Sequence, residues 1–161
     1  MPDTGGVVFV PALTGLGAPD WDPDARGAVF GITRGTTRAH LVRATLEAIA
    51  YEVRDVFDVM VTGQWRRTGT LRADGGASTN GLLMQMQADQ LQVPVERPEI
   101  AETTALGAAF LAGLATGVWS SPAELATTWR LDQRFEPGAR DDEGHARWRR
   151  AVERAKGWAR N

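Results

Sequence analysis

The chain has 161 residues, of which 43% are hydrophobic and 24% are charged, and its formal net charge is −2. This size and composition predict one soluble globular domain, and the balanced charge gives no reason to expect nucleic acid as a partner. Cysteine is absent and histidine occurs only at His40 and His145, which excludes disulfides and thiolate metal sites and argues against a histidine-rich zinc site.

The first part of the chain predicts two short strands followed by a long helix. Residues 7–10 and 28–32 are short apolar runs typical of strands, and a turn-rich loop over residues 14–23 separates them. A helix is predicted over residues 39–60, with Thr36 or Thr37 as its N-cap. Its predicted apolar stripe consists of Val42, Leu46, Ile49, Val53, Val56, Phe57 and Met60. The pairs Arg43/Glu47 and Arg54/Asp58 are expected on its solvated side.

The loop between the two strands carries alternating acids at Asp20, Asp22 and Asp24. Alternating carboxylates are typical of a calcium loop, but Pro19 and Pro23 interrupt the run and the spacing of an EF-hand is not continued. The favoured interpretation is that these acids form turns, and no metal site is expected.

The second part alternates further strands and helices, which indicates an α/β fold with a mixed sheet and helices on its faces. The predicted elements are a polar connection over 62–70 carrying Trp65, a strand over 71–73, a helix over 79–91, a strand over 93–97 and a helix over 104–116 after Thr103 as N-cap. They continue with a short helix that runs from its N-cap Ser121 through Trp129, a weak strand or extended arm over 130–135 and an amphipathic helix over 141–160. Pro94 indicates an edge strand or a strand start. Trp148, Val152 and Trp158 are expected to form the apolar stripe of the last helix.

Residues 105–119 are the most apolar stretch of the chain. The stretch is shorter than the roughly 20 residues that a membrane span needs, so it predicts a buried helix of a soluble protein. The first residues also lack the basic and apolar pattern of a signal peptide. A cytoplasmic protein with no membrane partner is therefore expected.

The strongest candidate for a binding site is the junction Asp74-Gly75-Gly76, which lies between the strand over 71–73 and the next helix. Glycines allow a sharp turn and close approach of a ligand to the backbone, and a helix start presents free N–H groups. If Ser78 or Thr79 caps the helix, Asn80 lies in its first turn and could face a ligand on the glycines. The alternative is a plain tight turn with Asn80 bonding locally.

The basic residues suggest no second site of this kind. Lys156 is the only lysine, and it lies far from any glycine-rich loop, so a Walker A motif is excluded. A surface or capping role is expected for His40. His145 and the arginines of the last helix are interpreted as a solvated face.

Several segments together resemble the C-terminal half of the FGGY family of carbohydrate kinases. Gly27-Ala28-Val29-Phe30-Gly31-Ile32 and His40-Leu41-Val42-Arg43-Ala44-Thr45-Leu46-Glu47 look like the C-terminal signature of the family at the right spacing. The loop over 17–27 is more similar to members that act on glycerol than to those that act on xylulose or ribulose. The resemblance continues over 71–80, 83–89 and 104–109, and it covers residues 7–158.

This resemblance implies an α/β, actin-like or ribonuclease H-like ATPase fold, which would be incomplete here. Residues 1–161 would form part of the C-terminal, nucleotide-binding domain, and the N-terminal substrate domain would be absent. The glycine and asparagine that bind the nucleotide in the family fall on Gly76 and Asn80, with Asp74 and Gly75 completing the motif. The implied partners are ATP or ADP with Mg²⁺, and glycerol only together with the N-terminal domain.

The family places its phosphate-binding hairpin, its glycerol contacts and its general-base aspartate upstream of this region. No residue of the chain matches them, so no catalytic residue is expected here and the chain is interpreted as a fragment or a truncated product. Two alternatives stay open, namely a kinase of another polyol or sugar and a non-catalytic remnant with a structural or interaction role. An incomplete sheet also predicts self-association, a homo-oligomer or marginal stability.

Overall fold

The computed structural model describes residues 2–62 and 69–160, in which five strands and five α-helices alternate. The strands are β1 (Val8–Val10), β2 (Ala28–Phe30), β3 (Leu71–Arg72), β4 (Val95–Pro98) and β5 (Leu131–Phe135). The helices are α1 (Arg38–Thr62), α2 (Gly81–Leu91), α3 (Thr103–Thr116), α4 (Pro122–Ala126) and α5 (Asp142–Ala155), and a 3₁₀ helix covers Gly76–Thr79. The predicted order of elements is confirmed. Trp65 and most of the predicted polar connection lie outside the described residues.

The described strands form two small sheets. Strands β1 and β2 are antiparallel, with Val8 opposite Phe30 and Val10 opposite Ala28. The second sheet has the order β3-β4-β5, in which β3 is parallel and β5 antiparallel to β4. This confirms the mixed sheet. Because β4 is the central strand, the edge interpretation of Pro94 is wrong, whereas its position immediately before Val95 fits a strand start.

Helix α1 lies between two hydrophobic clusters and connects the two sheets. On one side Ala48 and Tyr51 pack with β1 and with Trp148 and Val152 of α5. On the other side Leu46 and Ile49 pack against a cluster that joins α2 to the second sheet, formed by Leu83, Met84, Ala88, Val95 and Phe135. The second sheet and α2, which carry the site described below, therefore pack in the same hydrophobic cluster.

The buried face of α1 differs from the predicted stripe. Its buried residues are Ala44, Ala48, Ala50, Tyr51, Arg54 and Asp55. The small alanines allow α1 to approach β1 and α2 closely, whereas Val42 is 55% exposed. Arg54 was expected on the solvated side but is only 6% exposed; it donates to Gln90 at 2.9 Å and to Asp142 at 2.6 Å.

Helix α3 was predicted to be buried, and this prediction is wrong for the described chain. Gly113 is its only buried residue among those described, and Leu111 is 71% exposed. An apolar helix is buried only where other elements surround it, and the described residues place little chain over α3. Its small residues still serve close packing at one point, because a Cβ at Gly113 would overlap the ring of Trp119.

Local sequence signals set most helix ends. Ser121 caps α4 by accepting from the Glu124 N–H, and Asp141 caps α5 by accepting from the Gly144 N–H at 2.8 Å. His40 accepts from the Thr37 N–H at 3.1 Å at the start of α1, so its capping role is confirmed. Helix α5 ends at Ala155, and Trp158 lies beyond it and is 75% exposed. The predicted place of Trp158 in the apolar stripe is therefore wrong.

Within residues 2–62 and 69–160, no helix combines the length and the apolar character that crossing a membrane would require.

Candidate functional site

The candidate site begins at the end of β3, an outer strand in the order β3-β4-β5. The N–H groups of Leu71 and Ala73 donate to the carbonyls of Pro94 and Glu96 at 2.8 and 2.9 Å, which continues the parallel pairing with β4 up to the turn. Asp74 follows at once. The pairing of β3 with β4 therefore fixes the direction in which the chain enters the turn.

The two glycines of the turn have different backbone demands. Gly75 has φ +80° and ψ 171°, a conformation that is nearly restricted to glycine. Gly76 starts the 3₁₀ helix without a positive φ, and a Cβ added there would meet no atom within 4 Å. The backbone at Gly76 is therefore open toward one side, and a ligand could lie against it.

Hydrogen bonds within the turn hold it in shape. The Ser78 hydroxyl donates to the Gly75 carbonyl at 2.7 Å, and Ser78 is buried. The Thr79 hydroxyl donates to the Gly76 carbonyl at 2.7 Å. These side chains bond back to the backbone of the turn, which is the typical use of serine and threonine beside a helix start.

The expected position of Asn80 in the first helical turn is wrong. Asn80 is itself the N-cap of α2, and its side-chain oxygen accepts from the Leu83 N–H at 3.2 Å. The 3₁₀ helix covers residues 76–79, so α2 starts at Gly81, one or two residues later than a cap at Thr79 or Ser78 would place it. With the oxygen engaged, the Asn80 amide nitrogen is the group left to donate, since it has no bond to any part of the chain that the structure describes.

A segment far along the chain braces the other side of the turn. The Thr103 hydroxyl donates to the Asp74 carboxylate at 2.7 Å, and the Gly75 N–H donates to the Ala101 carbonyl at 2.8 Å. Thr103 was predicted as the N-cap of α3, but Glu102 has that position and makes no side-chain capping bond. No sequence signal pointed to this brace, because its partners are about thirty residues apart.

Two larger cavities are lined by other residues than those of the turn, although Thr103, which bonds to Asp74, lines the second one. One of about 690 Å³ lies between the loop over 16–20 and the Val53–Met60 side of α1, and it includes several residues of the predicted apolar stripe. Another of about 650 Å³ lies beside α3 and α4, with Phe110, Trp119 and Trp129 in its lining. Neither is lined by Gly75, Gly76 or Asn80, so the candidate site is an open ledge on this chain.

The three loop acids make structural bonds. Asp20 accepts from both terminal nitrogens of Arg149 at 2.8 and 3.0 Å and pairs with Lys156 at 2.7 Å. Asp22 accepts from the N–H groups of Asp24 and Gly157. These bonds support the interpretation of the acids as turn and contact residues.

Asp20 belongs to a cluster of charged side chains, called here the Asp20 cluster, that also contains Asp55, His145, Arg149 and Lys156. His145 was expected to be solvated. The His145 Nε2 lies 2.7 Å from a carboxylate oxygen of Asp55, and Arg149 donates to the other oxygen at 2.8 Å. The prediction of a solvated face is wrong for His145 and Arg149, because α5 packs on α1 and brings their side chains to a buried carboxylate.

We expect the Asp20 cluster to make stability depend on acid pH. The hydrogen bonds from Arg149 hold the pKa of Asp20 below its usual 3.8 in the folded chain. A carboxylate with a lowered folded pKa stabilises the fold above its unfolded pKa, and this contribution disappears as pH falls through the folded value. At pH 7, Asp20→Asn is expected to cost about 1.5–3 kcal/mol. Below about pH 4 the difference from the unsubstituted chain should shrink.

Urea unfolding at several pH values measures this effect. The matched control is Asp24→Asn, whose carboxylate pairs with the exposed Arg160, and it should cost less than about 1 kcal/mol. The pKa values of Asp22 and Asp142 are also lowered, so the acid slope should weaken in Asp20→Asn without disappearing. An unchanged free energy of unfolding at pH 7 would contradict the prediction.

Comparison with protein families and curated proteins identifies clear relatives. Residues 1–116 match the model of the FGGY family of carbohydrate kinases, C-terminal domain. The glycerol kinase of Symbiobacterium thermophilum is 61% identical over 162 residues, which cover 99% of this chain and 32% of that protein. The glycerol kinase of Nitratidesulfovibrio vulgaris strain DP4 is 59% identical over 161 residues, with 98% and 32% covered. The chain thus spans about a third of the length of the curated relatives it matches.

Solved structures with the same fold include kinases of several substrates. A Plasmodium falciparum glycerol kinase structure with ADP superposes with a TM-score of 0.80 at 37% identity, covering 96% of this chain and 32% of that one. A xylulose kinase from Brucella ovis superposes with a TM-score of 0.72 at 28% identity, covering 96% and 31%. The fold is therefore that of the actin-like ATPase domain of carbohydrate kinases.

Proposed function

The chain belongs to the FGGY family of carbohydrate kinases, and we propose that it forms the nucleotide-binding part of a glycerol kinase. The whole protein would transfer the γ-phosphate of ATP to glycerol, giving glycerol 3-phosphate and ADP. The observation that carries this proposal is the open Gly75–Gly76 backbone, which one 3₁₀ turn joins to the Asn80 cap of α2. The identity of 59–61% to curated glycerol kinases supports glycerol over other substrates.

Each residue of the site has a proposed role. The side-chain-free surface at Gly76 would receive the adenosine portion of the nucleotide, and the Asn80 amide nitrogen would donate to it. The start of α2 adds the positive end of a helix dipole, which favours an anionic ligand. Gly75 would supply the turn that only glycine adopts, and Asp74 would hold the turn through Thr103.

Magnesium is proposed only as the ion that accompanies ATP. Among the residues that the structure describes, no group of three or more histidine, cysteine or acidic side chains is placed to hold a metal ion. The proposal therefore assigns no magnesium ligand to this chain. The phosphate clamps and the acceptor hydroxyl that phosphoryl transfer requires are likewise assigned to the other part of a whole kinase.

The 161-residue chain alone is expected to bind ADP and ATP without phosphorylating glycerol. The physical reason is that an adenosine-binding ledge positions neither the γ-phosphate nor the glycerol hydroxyl. Isothermal titration with ADP and a coupled assay for glycerol 3-phosphate measure the two expectations. Turnover above the level without protein would contradict the second one.

A chimera tests the proposal against the alternative of a non-catalytic remnant. The matching third of the Symbiobacterium thermophilum glycerol kinase would be replaced by this chain, and ATP-dependent glycerol phosphorylation would be measured. Activity within about tenfold of the parent enzyme supports a competent nucleotide-binding part. A folded but inactive chimera that does not bind ADP would favour the remnant.

Substrate, location and assembly complete the proposal. Another polyol or sugar stays an alternative substrate, because the contacts that would select it are assigned to the other part of the protein. A cytoplasmic location and a homo-oligomeric state are also proposed. The exposed Leu111 of α3 and the exposed Val42 of α1 support self-association, since large apolar groups on a surface favour contacts between proteins.

A further inference from the structure

The last residues of the 3₁₀ helix are bonded by a side chain from the second sheet. The Nη1 of Arg97 on β4 donates to the carbonyls of Ser78 and Thr79 at 3.1 and 3.3 Å. These carbonyls directly precede Asn80, the cap of α2. A charged donor on the carbonyl end of a helical turn is favourable, because the partial negative charge of a helix lies there. Arg97 therefore connects the sheet to the turn of the candidate site.

Arg97 is itself held in a fixed geometry. Its Nε donates to the Asp132 carboxylate at 2.7 Å, and its Nη2 pairs with the same carboxylate at 2.6 Å and donates to Gln133 at 3.1 Å. The guanidinium carbon also lies 5.6 Å from the ring centroid of Phe135. The guanidinium thus has partners on β5 as well as on the 3₁₀ helix, and a planar fork of five donors can meet all of them together.

An irregularity of the sheet places the carboxylate that holds Arg97. The register between β4 and β5 shifts after Arg97, which pairs with Gln133, so that Pro98 pairs with Leu131. Asp132 is the extra residue at this bulge. Bulges redirect side chains and occur often beside functional sites. Here the bulge directs a carboxylate to the arginine that reaches the turn.

Phe135 completes the connection from the sheet to the start of α2. A Cβ added at Gly81 would lie 3.7 Å from its ring, so the ring packs against the first helical residue. Arg97 and Phe135 together support the backbone on both sides of Asn80. A shift of this support would move the Asn80 side chain relative to the Gly76 backbone.

We propose that Arg97 is a positioning residue for the nucleotide site, holding Asn80 and Gly76 in the geometry that receives the ligand. This inference rests on the proposed function, because it takes the turn to be the nucleotide site. Arg97 acts through the carbonyls of Ser78 and Thr79. Its loss should weaken nucleotide binding more than it weakens the fold.

The test compares Arg97→Met, Arg97→Lys and the control Arg134→Met in the purified chain. Arg134 lies on the same sheet and pairs with Glu96 and Glu136 at the exposed side. In Arg97→Met, amide hydrogen exchange over residues 78–83 should accelerate and the ADP dissociation constant should rise about tenfold. Arg97→Lys should recover part of both effects, because a lysine keeps the charge but reaches fewer acceptors. Arg134→Met should change neither.

The outcomes separate this inference from the proposed function. If the unsubstituted chain and its chimera do not bind ADP, the proposed function fails whatever Arg97 does. If they bind ADP and Arg97→Met binds it equally well, the positioning role is overturned even where exchange accelerates. Equal effects of Arg97→Met and Arg134→Met would also overturn it, since they would reflect the sheet as a whole.

Discussion

Gly76→Asp is expected to abolish nucleotide binding while the chain stays folded. A Cβ built at Gly76 meets no atom within 4 Å, and the residue has no positive φ, so we expect the fold to accept a side chain there. It would occupy the ledge where the nucleotide is proposed to lie, and its charge would repel the phosphates. Juxtaposed like charges cost several kcal/mol, so the ADP dissociation constant should rise about 100-fold or more. Titration calorimetry with ADP measures this change.

A matched substitution isolates the effect of position from that of charge. Gly17→Asp adds the same side chain at another glycine with no atom within 4 Å of a built Cβ, far from the turn in sequence. Gly17→Asp should leave the ADP dissociation constant within about twofold of that of the unsubstituted chain. Gly17→Asp and Gly76→Asp should have the same melting temperature. ADP binding that survives in Gly76→Asp would overturn the assignment of Gly76 to the site.

Trp148→Ala is expected to bring the fold close to unfolding. Trp148 is 2% exposed, packs on Tyr51 with ring centroids 5.9 Å apart and donates its indole N–H to the Phe9 carbonyl at 3.0 Å. Removing a buried aromatic side chain lowers the free energy of unfolding by about 3–5 kcal/mol. The free energy of unfolding of a whole domain is only about 5–15 kcal/mol. The substitution also leaves the Phe9 carbonyl without its donor. Urea unfolding followed by circular dichroism measures the loss.

Trp158→Ala is the matched control, because Trp158 is 75% exposed. It should change the free energy of unfolding by less than about 0.5 kcal/mol. Trp148→Phe should fall between the two, since it keeps most of the packing and loses the hydrogen bond. Equal losses at Trp148 and Trp158 would contradict the view that α5 is held to β1 through Trp148.

Local signals explain why so much of the order of elements could be predicted. Ser121 before Pro122, the glycine pair after β3 and the alternating apolar runs act over a few residues, where backbone preference and capping dominate. The cap of α2 shows the limit of such signals. Ser78, Thr79 and Asn80 are all good caps by type, and the 3₁₀ helix that decides among them depends on the Arg97 and Ala101 contacts from distant residues.

The buried faces could not be predicted in the same way. A 3.6-residue period identifies an apolar side of α1, but the alanine side is buried because β1 and α2 approach it from two directions. An all-apolar helix such as α3 predicts burial without identifying what covers it. The pairs around Arg54, His145 and Arg149 likewise join residues 36 to 129 positions apart.

By itself, the sequence determined the strand, the glycine turn and the helix of the candidate site, because these follow from the conformational freedom of glycine and from short-range capping. It also carried the resemblance to carbohydrate kinases, which the comparisons confirm. The tertiary structure alone decided that Asn80 is a cap, that Thr103 and Arg97 brace the turn, and that Trp148 bonds to Phe9 while Trp158 is exposed. The reason is that each of these depends on contacts between segments far apart in the chain, up to the 139 positions that separate Trp148 from Phe9.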